Sequence, residues 1–194
     1  MFINWQLREL NLKVVYYGPA LSGKTTNLEQ IHLKVNPERR GELISLKTTE
    51  DRTLYFDFLQ LELGKISGLT PKIHLYTVPG QTYYEASRKL VLRGADGVVF
   101  VADSATNRLD KNIEAWENMK VHLDSLNLPP DLPVVVQFNK RDLPNAVSPL
   151  NLSNRLNING HPTFEAVAVQ GQGVFDTLKA IINLVVKQVQ REIA

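Results

Sequence analysis

Residues 18–25 read Gly18-Pro19-Ala20-Leu21-Ser22-Gly23-Lys24-Thr25, the pattern G-x-x-x-x-G-K-[ST] without deviation. Each fixed position has a physical job on a phosphate. Gly18 and Gly23 free the backbone to turn, so that successive N–H groups face an anion. Lys24 brings a compact positive charge for the β- and γ-phosphates, and Thr25 offers a hydroxyl to Mg²⁺. The cradle so formed runs over Gly18, Ala20, Leu21, Ser22, Gly23, Lys24, Thr25 and Thr26. Its flanks fit: residues 10–17 read as a strand, and 26–35 as a helix with Leu28, Ile31 and Val35 on one side. Strand, phosphate loop and helix is the setting this motif requires.

Outward from that loop, the chain alternates strands and helices. A loop covers residues 36–41, and 42–53 are mixed and polar. Residues 54–63 and 72–78 read as strands paired in an antiparallel hairpin. A helix follows over 82–93 with Leu90 and Val91 inward. Residues 97–103 are a continuous apolar run, as expected of a strand covered on both faces. The next helix spans 107–126, with Leu109, Ile113, Trp116, Met119, Val121 and Leu123 inward, and Pro129-Pro130 closes it. Residues 133–138 and 163–168 are two more strands. The last helix, 173–191, carries a stripe from Val174 to Val189 that reads as core packing. The sum is one domain over 1–194: a doubly wound α/β sheet, mostly parallel, of six strands with one antiparallel.

Composition narrows the functional classes. The 194 residues suffice for one good core. The net charge of +2 is too small to argue for nucleic acid. Arg39 and Arg40 read as a solvated loop. No cysteine is present, which removes disulfides, thiolate chemistry and prenyl or palmitoyl anchors. Residue 2 is Phe, so myristoylation has no acceptor. No apolar run reaches the ~20 residues of a membrane span. Four histidines lie far apart, which disfavours a metal site built from them. The expectation is a soluble, cytoplasmic protein that only a partner would carry to a membrane or a cell pole.

The strand ends identify the base. Asn139-Lys140-Arg141-Asp142 follows the 133–138 strand. Guanine presents two adjacent donors, N1–H and the exocyclic amine, and the Asp142 carboxylate can accept both in a fork. Adenine has no such pair and would leave a buried Asp unpartnered. Asn139 can bind the purine's other edge and tether the loop, and Lys140 can lay its stem over the ring. The backbone N–H of Ala168 is a candidate donor to the guanine carbonyl. At another strand end, Val78-Pro79-Gly80-Gln81 places a Gly whose N–H can meet a γ-phosphate and a Gln that can orient the attacking water. A plain surface amide is the simpler alternative for Gln81.

On these residues the chain resembles the Ras-like small GTPases and, within them, the bacterial MglA family of polarity and gliding-motility GTPases. The likeness runs over nearly the whole chain. It rests on residues 18–25, 52–58, 76–81, 87–97 and 139–142, above all on Tyr76-Thr77-Val78-Pro79-Gly80-Gln81. Most Ras-like proteins carry Asp at the position of Thr77, whereas MglA-like proteins carry Thr. Thr brings no negative charge, so Mg²⁺ binding would lean on Thr25, Thr53 and the phosphates, aided by Asp57. The resemblance implies that Thr53 is the switch threonine that closes on Mg²⁺; a threonine at the start of a strand is the alternative. It also implies that Arg52 is an arginine supplied in cis for phosphoryl transfer, with Arg39 and Arg40 as rivals. It further implies a roadblock-type (longin-like) MglB homodimer that activates by holding Arg52 and Gln81, and a strand at 54–63 that slides between nucleotide states.

Two functions stay open on this reading. One is a GTP/GDP switch that slowly hydrolyses GTP, with Gln81, Arg52 and Lys24 as its catalytic groups. The other is a guanine-nucleotide-binding scaffold that scarcely hydrolyses, a reading kept alive by Thr77. An ATP-dependent kinase or transporter subunit suits the phosphate loop but leaves residues 139–142 unexplained.

Overall fold

The apolar runs settle at the centre of the molecule and the alternating ones toward its edges. The computed structural model describes residues 1–47, 53–65, 68–80, 84–158 and 160–193, with 46, 47, 53–55 and 193 in backbone alone. Eight strands form one mixed sheet: β1 (Phe2–Asn4), β2 (Glu9–Tyr17), β3 (Ile44–Lys47), β4 (Thr53–Glu62), β5 (Thr70–Thr77), β6 (Gly97–Asp103), β7 (Val134–Asn139) and β8 (Thr163–Glu165). Their order is β3-β4-β5-β2-β6-β7-β8, with β1 paired to β2. The five strands from β5 to β8 run parallel. β4 is antiparallel to β5, with Phe58 opposite Tyr76 and Glu62 opposite Lys72.

Among the described residues, five α-helices cover the two faces. α1 (Lys24–Lys34) and α5 (Val174–Ile193) share one core with β2, β4, β5 and alternate residues of β6 and β7. α2 (Glu85–Leu92), α3 (Leu109–Ser125) and α4 (Pro149–Leu156) close the other. β6 and β7 are buried at every position, which explains why their sequences do not alternate. Each fully buried Val or Phe in them contributes about 1.5–3 kcal/mol of transfer free energy.

Among the described residues the sheet has eight strands, not six, and two of them, β1 and β4, run against the parallel set, not one. β1 pairs antiparallel with β2, and β3 antiparallel with β4. Both are short strands of three and four residues, below the length at which alternation is readable. β8 stops at Glu165, so Ala168 stands in a 3₁₀ turn, Ala168–Gln170, not in a strand. Two inward assignments also change. Leu90 is 68% exposed, because Arg88, Val91 and Leu92 form the buried face of α2. Val121 is 59% exposed, because the buried residues of α3 are Asn112, Trp116, Met119 and His122, and Val121 lies two residues past Met119 on the opposite side. Among the described residues no helix is long and apolar enough to cross a membrane.

Candidate functional site

The phosphate loop hangs between the end of β2 and the start of α1. Gly23 is the N-cap of α1 at φ +100°, a conformation that side chains rarely adopt. A Cβ there would also overlap the Asn139 amide. Lys24 is buried inside the loop, and its Nζ donates to the carbonyls of Gly18 (3.0 Å) and Pro19 (2.7 Å). Burial pushes its ammonium down to about 7, opposed by Asp57 and reinforced by Arg88 and Arg108. A phosphate in the cradle would add negative charge beside this lysine and favour its ammonium form. Leu21 is held at φ +62° with its side chain exposed, and Thr26 is half-buried in the first turn of α1. Gly80 presses on the loop so closely that a Cβ would overlap the Ala20 backbone. The end of β5 and the phosphate loop are therefore one surface.

The purine-reading end is tied to that loop. Asn139 donates from Nδ2 to Ser22 O (2.8 Å), and its Oδ1 accepts from Ala168 N (2.9 Å). The Ala168 N–H, the candidate donor to a guanine carbonyl, is thus engaged by Asn139. Lys140 sits at φ +64° and pairs through Nζ with the buried Asp103 at 2.7 Å. Asp142, just beyond it, is exposed.

On the far side of the loop stands Asp57 of β4, completely buried. Its carboxylate accepts from Thr25 Oγ1 (2.5 Å), from Thr77 Oγ1 (2.7 Å) and from Ser45 Oγ. Its N–H donates to Thr77 Oγ1 (2.8 Å). Thr25 of the phosphate loop and Thr77 of β5 meet on one carboxylate. An all-oxygen set around a buried negative charge suits Mg²⁺, and the residues present fit that ion. Among the described residues no three His, Asp or Glu side chains form a cluster of their own, so the remaining ligands would come from hydroxyls, water and phosphate.

Arg108, at the start of α3, was not among the sequence candidates. Its Nη2 donates to Ala20 O (2.5 Å), and its Nε lies 3.7 Å from Asp103. No spacing links it to a loop 88 residues away, so no sequence signal could have found it. Arg40 donates from Nε to Val35 O (3.0 Å), closing the C-terminus of α1. Arg52 and Gln81 lie outside the described residues, and Thr53 is described in backbone alone.

Strand, phosphate loop and helix, with a carboxylate-bearing strand end beside them, define a P-loop nucleotide-binding protein of the small-GTPase architecture. The model of the ADP-ribosylation factor family matches residues 1–185. The chain is 53% identical over 191 residues to "Mutual gliding-motility protein MglA" of Myxococcus xanthus, covering 98% of each. It is 29% identical to ADP-ribosylation factor-like protein 4D of Bos taurus, over 86% of this chain and 76% of the relative. It is 28% identical to ADP-ribosylation factor-like protein 6 of Caenorhabditis elegans, over 79% and 73%. The chain belongs to the ADP-ribosylation factor family of small GTPases, in its MglA-like branch. That membership gives guanine-nucleotide binding and GTPase activity in general terms.

Proposed function

We propose that this chain is a slow GTP/GDP switch that hydrolyses GTP to GDP and phosphate and sets cell polarity or motility through partners that distinguish its two states. The observation that supports it most is Asp57. In most relatives of this architecture an Asp stands where this chain has Thr77. Here the negative charge is carried by the neighbouring strand, within 2.7 Å of the Thr77 hydroxyl. A scaffold without hydrolysis drew its support from the missing charge, and Asp57 weakens that reading.

In the switch reading, Lys24 and the loop amides bind the β- and γ-phosphates, and Gly80 N–H meets the γ-phosphate. Gln81 orients the water. Thr25, Thr53 and Asp57 would hold Mg²⁺, which would supply positive charge against the phosphates. Asp142 and Asn139 read guanine. Arg52 stabilises the charge that spreads over the transferring group. Of its rivals, Arg40 is tied to α1 by its bond to Val35 O, and Arg39 is exposed on the turn before it. A roadblock-type homodimer related to MglB is the proposed activator, acting by holding Arg52 and Gln81, and any localisation to a pole would follow from such partners.

Single-turnover phosphate release, with and without a roadblock-type dimer, tests this. Arg52→Ala and Gln81→Leu should each lower stimulated turnover by roughly 10³-fold or more while GDP binding persists. Normal turnover in either variant removes that residue from the mechanism. No stimulation of the wild type by such a dimer, with turnover near zero, favours the scaffold.

A further inference from the structure

β7 reads Val134-Val135-Val136-Gln137-Phe138-Asn139, so one amide sits inside an apolar run. Gln137 is completely buried, as are Asn27 on α1 and Thr177 on α5. A side-chain amide in a dry core is costly unless every donor is used, and here every donor is used. Asn27 and Gln137 form a closed amide pair, with Asn27 Nδ2 donating to Gln137 Oε1 (2.8 Å) and Gln137 Nε2 to Asn27 Oδ1 (2.9 Å). The second Asn27 donor reaches Gly23 O (2.9 Å). The second Gln137 donor reaches Thr177 Oγ1 (2.9 Å), whose hydroxyl donates to Gly173 O (2.7 Å). The two ends fix the orientation of both amides: Gly23 O can only accept, and the Thr177 proton is committed to Gly173 O.

This chain of bonds runs beside the one made by Asn139. The two residues are two apart on β7 and share a face. Asn139 holds Ser22 O directly, and Gln137 supports Gly23 O through the Asn27 side chain, beside the first helical bond of α1, in which the Asn27 backbone N–H donates to the same carbonyl (3.0 Å). Both chains end on the 166–173 segment, at Ala168 N and at Gly173 O. A trans peptide is planar, with its C=O and N–H pointing in opposite directions. Drawing the Ser22 carbonyl back into the protein therefore aims the Gly23 N–H outward. Drawing the Gly23 carbonyl back aims the Lys24 N–H outward into the cradle.

We propose that Gln137, with Asn27 and Thr177, is a positioning residue for the nucleotide's β-phosphate, adding a second tether to the Gly23–Lys24 peptide from the core of the sheet. The inference rests on the guanine-nucleotide reading of the pocket. It adds that phosphate affinity is set partly by an uncharged network that touches no ligand.

The test separates positioning from stability. Gln137→Met leaves the Asn27 amide half-paired, whereas Asn27→Leu with Gln137→Met removes both amides, and thermal denaturation should recover toward wild type in the double variant. Dissociation of a fluorescent GDP analogue should be roughly tenfold faster in both. The loss should fall on GDP and not on GMP, which has no β-phosphate, so the ratio of their affinities should drop about tenfold. Thr177→Val, which keeps the core volume and removes only the far anchor, should move the ratio in the same direction by less. The inference is overturned if GDP release returns to the wild-type rate together with stability, or if GDP and GMP weaken alike. A wild-type chain that does not bind GDP overturns the pocket reading itself, and this inference with it.

Discussion

The two sides of the phosphate loop are held by different chemistry. On the β7 side the tethers are amides and a hydroxyl: Asn139, Asn27, Gln137 and Thr177, all uncharged and bonded to backbone or to one another. On the β4 side a single carboxylate, Asp57, gathers the hydroxyls of Thr25, Ser45 and Thr77. The amide side spends no group that a nucleotide or a cation would claim, apart from the edge of Asn139. The carboxylate side is built from the groups that a divalent cation would claim, Thr25 and Asp57. In the proposed switch, binding would leave the first side as it is and rearrange the second. A switch needs both: a floor that does not move and a wall that responds.

The sharpest way to break the contrast is on the amide side. Gly23→Ala places a methyl against the Asn139 amide at a backbone angle alanine avoids. Nucleotide affinity measured by calorimetry should fall roughly 10²-fold, a cost of about 3 kcal/mol. Retained affinity would mean the tether is slack. A smaller effect is expected across the loop. Asp57→Asn keeps the hydrogen-bonding shape and removes the charge. In the wild type, chelating Mg²⁺ should speed GDP release, and in this variant that acceleration should shrink by roughly tenfold. An unchanged Mg²⁺ response would show that Asp57 does not stand in for the charge absent at Thr77.

The smallest effect concerns pH. His122 of α3 is buried with its Nδ1 3.0 Å from the Tyr17 hydroxyl, one residue before the loop. Burial holds its ring below the usual histidine value; Arg88 and Lys89 of α2 act the same way, and Glu85, 3.6 Å from Nε2, opposes them. His74 and His161 are lowered by burial too. A histidine kept neutral by the fold binds fewer protons than in the unfolded chain. Stability should therefore be full above the unfolded value of about 6.5 and decline as pH falls below it. Urea denaturation from pH 7 to pH 5 should show that decline, and His122→Gln should flatten it. An identical slope in the variant would assign the effect to the other histidines.

The parts of the molecule that had to be particular residues were legible. The phosphate loop admits few substitutes at Gly18, Gly23, Lys24 and Thr25, and its strand and helix followed from periodicity. What escaped depends on partners distant in the chain. Asp57 meets Thr25 across 32 residues and Arg108 meets Ala20 across 88, and neither separation leaves a pattern. α4 was missed although its signal was present. Ser148 caps it through a bond from Asn151 N, Pro149 opens it, and Leu152 and Leu156 bury one face. Leu90 and Val121 were placed inward on hydrophobicity alone, where the helical phase turns each to the surface.

In the proposed switch, Asp142 reads guanine at the end of β7. Calorimetric titration of the nucleotide-free wild type and of Asp142→Asn with GDP and with xanthosine diphosphate measures that directly. The expected result is tight GDP binding by the wild type with a weak response to the xanthine compound, and the reverse order in the variant. A wild type indifferent to the base, or a variant that still prefers GDP, would contradict it.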